Sequence, residues 1–144
     1  MTAEPVSQQA VKGTILCVDD DKDVLIMMDA VFSTHGYDTV VAHDGQEGVD
    51  VFRQHKAELV AAVLDIRMPL KDGFEAAREI RTESADIPLI AVSAYFGGTQ
   101  KDGVPIKKVT EAGFNAYSTK PFVIDRLLKT VDELVQQYKA KRNS

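Results

Sequence analysis

Leu59-Val60-Ala61-Ala62-Val63-Leu64-Asp65-Ile66-Arg67-Met68-Pro69-Leu70-Lys71-Asp72-Gly73 reads as a buried strand that ends in a carboxylate and then turns into a helix. Leu59–Leu64 is apolar without a break, as expected of a strand covered on both faces. Asp65 stops the run. Met68-Pro69 and Asp72-Gly73 carry turn chemistry, and the spacing of Phe74, Ala77 and Ile80 predicts a helix from about Phe74 to Arg81. An acid at the carboxyl end of such a strand stands where open α/β sheets collect their ligands.

Upstream, Thr14–Val18 (TILCV) is a second uninterrupted apolar run, ending at Asp19-Asp20-Asp21. Val24, Leu25, Met28, Val31 and Phe32 then form one helical stripe, with Gly36 as its C′ residue. Asp38–Ala42 is a short strand, and Asp44 with Glu47 makes a capping-box pattern before a helix carrying Val49 and Phe52. Gly48 inside that helix costs up to about 1 kcal/mol against Ala, which fits close packing or simple tolerance.

Downstream, Ile87-Pro88 leads into Leu89–Val92, which ends at Ser93. Gly97-Gly98, Gly103 and Pro105 leave room for a short helix, about Ile106–Ala112, with Pro105 at N1 and Gly113 at C′. Asn115–Thr119 is a fifth strand, ending at Lys120-Pro121. Ile124, Leu127, Leu128, Val131, Leu134, Val135 and Tyr138 form the stripe of a last helix. Five apolar strands alternating with five helices predict an α/β fold, a parallel sheet with helices on both faces and no half-exposed strand.

The 144 residues fit one domain, with 44% hydrophobic and 27% charged residues. A net charge of −5 argues against nucleic acid as a direct ligand, since a polyanion calls for a basic face. The single Cys17 excludes an internal disulfide, fits a reducing, cytoplasmic setting, and is expected to act as a small buried hydrophobe. Nothing is apolar enough to cross a bilayer, and the polar N-terminus is not a signal peptide. His35, His43 and His55 lack ligand spacing and receive no role.

In a parallel sheet the carboxyl ends of the strands lie on one edge. That edge collects Asp19, Asp20 and Asp21 from the first strand, Asp65 from the third, Ser93 from the fourth and Lys120 from the fifth. Each has a bland reading: helix capping for the first three, which is adopted for Asp21, a solvated acid for Asp65, a turn hydroxyl for Ser93 and a loop charge for Lys120. Their coincidence at four strand ends favours a functional site, with Asp65 as a phosphate acceptor. Two carboxylates about 4 Å apart repel by roughly 4 kcal/mol at an effective dielectric of 20, so three together demand protons or a cation. An all-oxygen set with open positions suits Mg²⁺. Lys120 is expected to pair with Asp65 at rest and with phosphoryl oxygens afterwards, and Ser93 to donate to a phosphoryl oxygen.

Over Gly13–Tyr138 the chain resembles a response-regulator receiver domain of two-component signalling. The resemblance rests on Ile15-Leu16-Cys17-Val18-Asp19-Asp20-Asp21, Leu64-Asp65-Ile66-Arg67-Met68-Pro69 with Asp72-Gly73, Ser93-Ala94, and Tyr117-Ser118-Thr119-Lys120-Pro121-Phe122, in the family's order. It implies a flavodoxin-like receiver fold with strand order 2-1-3-4-5. It implies phosphorylation of Asp65 from the phosphohistidine of a sensor histidine kinase or a histidine phosphotransfer protein. Mg²⁺ would be held by Asp20, Asp65 and the backbone carbonyl of Arg67, with Asp19 acting through water. A cis peptide at Lys120-Pro121 would aim the lysine, and Gly73 would shape the turn. Ser93 and Ala94 would meet the phosphoryl group, with Tyr117 turning inward as the switch aromatic. The fourth helix, fifth strand and fifth helix would present the output face to a downstream protein, as a monomer or a phosphorylation-dependent dimer.

Residues 1–12 are expected to be a tail, 13–138 the receiver and 139–144 a basic tail. Six residues after Tyr138 are too few for an output module, so the chain is expected to be a stand-alone receiver or one cut from a longer protein. Ser93 to Gly113 is longer than the family pattern, and the 96–108 loop is read as a tolerated insertion or a remodelled partner surface. Arg67 and Tyr95, two residues past Asp65 and Ser93, are expected to tune phosphoryl lifetime. The rivals are a haloacid-dehalogenase-like phosphohydrolase, using the Asp-x-Asp pattern within Asp19–Asp23, and a receiver-like interaction module that is never phosphorylated.

Overall fold

The computed structural model describes residues 11–94 and 103–143. Tyr95 and residues 96–102 of the long loop lie outside this set. Five strands, β1 (Thr14–Val18), β2 (Asp38–Ala42), β3 (Leu59–Asp65), β4 (Leu89–Ser93) and β5 (Ala116–Thr119), pair in parallel in the order β2-β1-β3-β4-β5. The helices between and after them are α1 (Lys22–Thr34), α2 (Gly45–His55), α3 (Gly73–Glu83), α4 (Ile106–Glu111) and α5 (Ile124–Arg142). The fold is the expected five-stranded α/β sheet of the receiver type.

Strand periodicity divides the core in two. Leu16, Val18, Ala62, Leu64, Leu89 and Ala91 face α2, α3 and α4, meeting Phe52, Phe74, Ile80 and Val109. Their alternates Ile15, Cys17, Ala61, Val63, Ile90 and Val92 face α1 and α5, meeting Met28, Phe32, Leu127 and Val131. Burial on both faces of β1, β3 and β4 accounts for their lack of alternation. Cys17 lies wholly inside, and burial there pushes its thiol pKa up, so it is inert packing.

The outer strands depart from the expectation. β2 and β5 are half-exposed, because an edge strand has only one neighbour and its helices cover it partially. Two boundaries and one burial assignment also differ. Pro105 is the N-cap of α4 and not its first turn, since ψ 127 keeps it extended. Asn115 stands outside β5, its side chain engaged elsewhere. Ile124, assigned to the buried stripe of α5, is 43% exposed at the helix start, where the sheet has ended.

Local chemistry places the helices. Asp21, Asp44 and Asp72 each cap a helix through a backbone N–H two or three residues on, at 2.8–2.9 Å. Gly48 reflects close packing: a Cβ there would stand 3.0 Å from Val18 Cγ2. No described helix is long and apolar enough to cross a membrane.

Candidate functional site

The parallel ladder continues one residue past the strands. Asp19 donates its N–H to Ala42 O, Ile66 to Val92 O and Lys120 to Ser93 O. These bonds hold Asp19, Asp65 and Lys120 at the sheet edge with little freedom. Asp19 is fully buried, Asp65 and Ser93 are nearly so, and Asp20 and Ala94 face solvent.

Carboxylate oxygens of Asp19, Asp20 and Asp65 all lie within 4.8 Å of one another. Asp19 Oδ1 accepts the Asp21 N–H at 2.9 Å, and Asp21 turns away to cap α1. Lys120 Nζ lies 2.8 Å from Asp19 Oδ2 and 3.5 Å from Asp65 Oδ2. In place of a pairing with Asp65 alone, the lysine bridges both acids and sits closer to Asp19, whose desolvated charge attracts it more.

Electrostatics follow from this crowding. Burial, with Asp19 and Asp20 nearby, raises the Asp65 pKa to about 6, opposed by Lys120 and by the Arg67 backbone N–H. For Lys120, burial alone would lower the pKa, but the hydrogen bond to Asp19 and the charges of Asp65 and Asp19 raise it overall. One ammonium against three acids leaves a negative deficit.

The donor set fits a divalent cation. Mg²⁺ holds oxygens at about 2.1 Å in an octahedron, so its ligand atoms must lie within roughly 4.2 Å of each other, a small contraction from the observed spacing. The buried Asp19 Oδ2 has the Lys120 ammonium beside it at 2.8 Å and keeps a lone pair for a cation. All the nearby donors are hard oxygens.

The turn after β3 is tightly built. The Gly73 N–H donates to Ile66 O at 2.8 Å, and a Cβ on Gly73 would stand 2.4 Å from Asp65 O. Lys71 O presses against Gly45, where a Cβ would come within 1.9 Å. Leu70 occupies the left-handed region at φ 68 and is 85% exposed. Arg67 is exposed beside this turn, and the Lys120-Pro121 peptide is cis. Tyr117 is 45% exposed.

A groove of about 530 Å³ opens beside Asp20, between the β3–α3 turn and the start of α4. Lys108 reaches over it, 4.8 Å from the Phe74 ring centre. Sequence reasoning missed Lys108: no spacing rule links α4 to Phe74, and the contact exists only because both line one groove.

Acids, hydroxyl and lysine at the carboxyl edge of a 2-1-3-4-5 sheet define a receiver of two-component signalling. The response regulator receiver domain family model matches residues 15–132, and the chain belongs to that family. Response regulator MprA of Mycobacterium avium is 33% identical over 126 residues, covering 87% of this chain and 52% of that protein. The chain thus spans about half the length of the curated relatives it matches. Among solved structures, the receiver domain of the Francisella response regulator 1452 is 30% identical with a TM-score of 0.74, covering 87% of this chain and 98% of that one. The receiver domain of the sensor histidine kinase PA1611 from Pseudomonas aeruginosa, with a magnesium ion coordinated in its active-site cleft, is 28% identical with a TM-score of 0.75, covering 88% and 99%.

Proposed function

We propose that this receiver accepts a phosphoryl group on Asp65 from the phosphohistidine of a sensor kinase or phosphotransfer protein. The observation that carries this is a nearly buried carboxylate, Asp65, at a strand end, flanked by two acids and one bridging ammonium. A carboxylate oxygen of Asp65 forms the new bond to phosphorus while the phosphorus–nitrogen bond breaks, and the electron pair and a proton end on the departing imidazole. Lys120 moves from the acids to the phosphoryl oxygens, and Ser93 donates its hydroxyl to another. Asp20, Asp65 and the Arg67 carbonyl, with Asp19 through water, would hold Mg²⁺. When bound, that ion neutralises charge on the transferring group and on the acids.

The proposed receiver body is 13–138. Phosphorylation adds about −1.5 to −2 charges at one point, and Ser93 and Tyr117 translate it to the surface of α4, β5 and α5. Ile106, Tyr117, Val123 and Ile124 are each more than 40% exposed there, an apolar surface suited to a protein partner. Arg67 and Tyr95 are proposed to tune phosphoryl lifetime.

Incubation with Mg²⁺ and a small acyl phosphate tests this reading. The expected product is heavier by one phosphoryl group, about 80 Da, and is absent from Asp65→Asn. Steady turnover of phosphomonoesters that is lost in Asp19→Asn and kept in Asp65→Asn would replace it with the hydrolase reading.

A further inference from the structure

We propose that Arg81 and Asn115 form a register pin at the start of β5, making Arg81 a positioning residue for Lys120 although it stands at the opposite edge of the sheet. This deepens the Asp65 reading and rests on it. The need for a pin comes from β5 itself. The strand has four residues, Ala116–Thr119, none of them buried. A strand whose inner face, here Ala116 and Ser118, is only half-buried specifies its register weakly, and a slip of one residue moves every side chain by about 3.3 Å and to the other face. Lys120, one residue past its end, depends on a 2.8 Å contact.

Asn115 supplies what the strand lacks. Its N–H donates to Leu89 O at 2.8 Å, and its Oδ1 accepts the Leu89 N–H at 2.8 Å. One residue thereby takes both backbone groups of the first residue of β4. Arg81 Nη2 donates to the same Oδ1 at 2.9 Å and fixes the orientation of the amide.

The Arg81 guanidinium is shared among neutral oxygens. Nε and Nη2 donate to Gly113 O at 2.9 and 2.7 Å, and Nη1 to Ile87 O at 2.7 Å and Ser84 O at 3.1 Å. The end of α3, the approach to β4 and the turn into β5 are tied at one point. Gly113, at φ +103, leaves room for this: a Cβ there would stand 2.8 Å from Arg81 Cγ. A lysine ammonium cannot reproduce a planar fork directed at four acceptors. At the other end the Lys120 N–H donates to Ser93 O at 3.0 Å, so register set at Asn115 is carried about 17 Å to the site.

The test uses the whole chain carrying Arg81→Gln, Arg81→Lys, Asn115→Ala or Asn115→Asp. Amide hydrogen exchange at Lys120 reads register without any phosphoryl transfer. Acyl phosphate labelling of Asp65 reads the lysine, and Mg²⁺ affinity reads the acids together with the ammonium that opposes the cation. Arg81→Gln and Asn115→Ala are expected to speed exchange at Lys120 and slow labelling by about tenfold each, with Mg²⁺ bound no more weakly, since a displaced ammonium frees the acids. Asn115→Asp, which keeps the acceptor, should restore both. In a Lys120→Met background neither change should slow labelling further, since both act through that side chain.

Exchange that quickens at Leu89 and Gly113 but not at Lys120 would overturn the proposal, as would equal slowing in the Lys120→Met background. If the unaltered chain takes up no phosphoryl group, the Asp65 reading fails, and exchange at Lys120 decides the pin by itself. Should Arg81→Gln not fold, Arg81→Lys and Asn115→Ala carry the same comparison.

Discussion

Lys120 Nζ stands 2.8 Å from Asp19 Oδ2 and 3.5 Å from Asp65 Oδ2, so the resting ammonium leans toward the acid that is not the proposed acceptor. A Mg²⁺ ion held by these acids would therefore compete with Lys120 for the same negative charge. The proposed phosphorylation would in turn draw the lysine from Asp19 to the new phosphoryl oxygens.

Lys120→Met is expected to separate these two roles. Removing a positive charge beside the acids should tighten Mg²⁺ by about tenfold, or roughly 1.4 kcal/mol, while slowing labelling by an acyl phosphate. Titration of Mg²⁺ by calorimetry checks the first part. Weaker binding would mean that the lysine supports the metal site and does not oppose it.

The Asp65 carboxyl, at about 6 against an ordinary 3.8, holds its proton more tightly in the folded chain than in the unfolded one. Its contribution to stability is therefore full below about pH 4 and is lost as pH rises through about 6. Without divalent cations, Asp65→Asn should stabilise the chain at pH 7 by about 1–3 kcal/mol and much less at pH 4. Mg²⁺ competes with that proton, so its affinity should climb up to tenfold per pH unit below about 6 and level off above. Urea melts at both pH values and Mg²⁺ titrations across the range check this pair of trends.

Gly73→Ala places a methyl against backbone, 2.4 Å from Asp65 O and 2.8 Å from Ile66 Cα. Backbone cannot yield as a flexible side chain would, so a loss of about 2–3 kcal/mol in chemical denaturation is expected. Mg²⁺ affinity should fall with it, because the displaced turn carries the Arg67 carbonyl.

Leu70 tests strain in the same turn. At φ 68 a leucine costs about 1–2 kcal/mol, and at 85% exposure it recovers little through burial. Asn tolerates that region, so Leu70→Asn should raise stability by about 0.5–1 kcal/mol. A loss in thermal denaturation would show that the leucine packs on something that offsets its backbone.

Much of this was legible in the chain itself. The runs at β1, β3 and β4 announced strands buried on both faces, and Asp21, Asp44 and Gly113 marked helix ends through local chemistry. Asp19, Asp20, Asp65, Ser93 and Lys120 were assembled by the rule that parallel strands end on one edge. Strand order came from resemblance, since periodicity says nothing about which strand lies beside which. Edge exposure of β2 and β5 was missed for the same reason. The Lys120–Asp19 contact depends on relative depth, as Asp19 is fully buried and Asp65 slightly less so. Arg81 gave no local sign, because its acceptors are backbone carbonyls and one amide up to 34 residues away.

The proposed function requires that Asp65 itself receive the phosphoryl group. Reductive trapping of the acyl phosphate with borohydride, after incubation with Mg²⁺ and a phosphorylated donor, followed by peptide mass spectrometry, locates the group directly. Modification is expected on the peptide containing Asp65 and is expected to be absent in Asp65→Asn. Modification at Asp19 or Asp20, or labelling that persists in Asp65→Asn, would contradict the proposal.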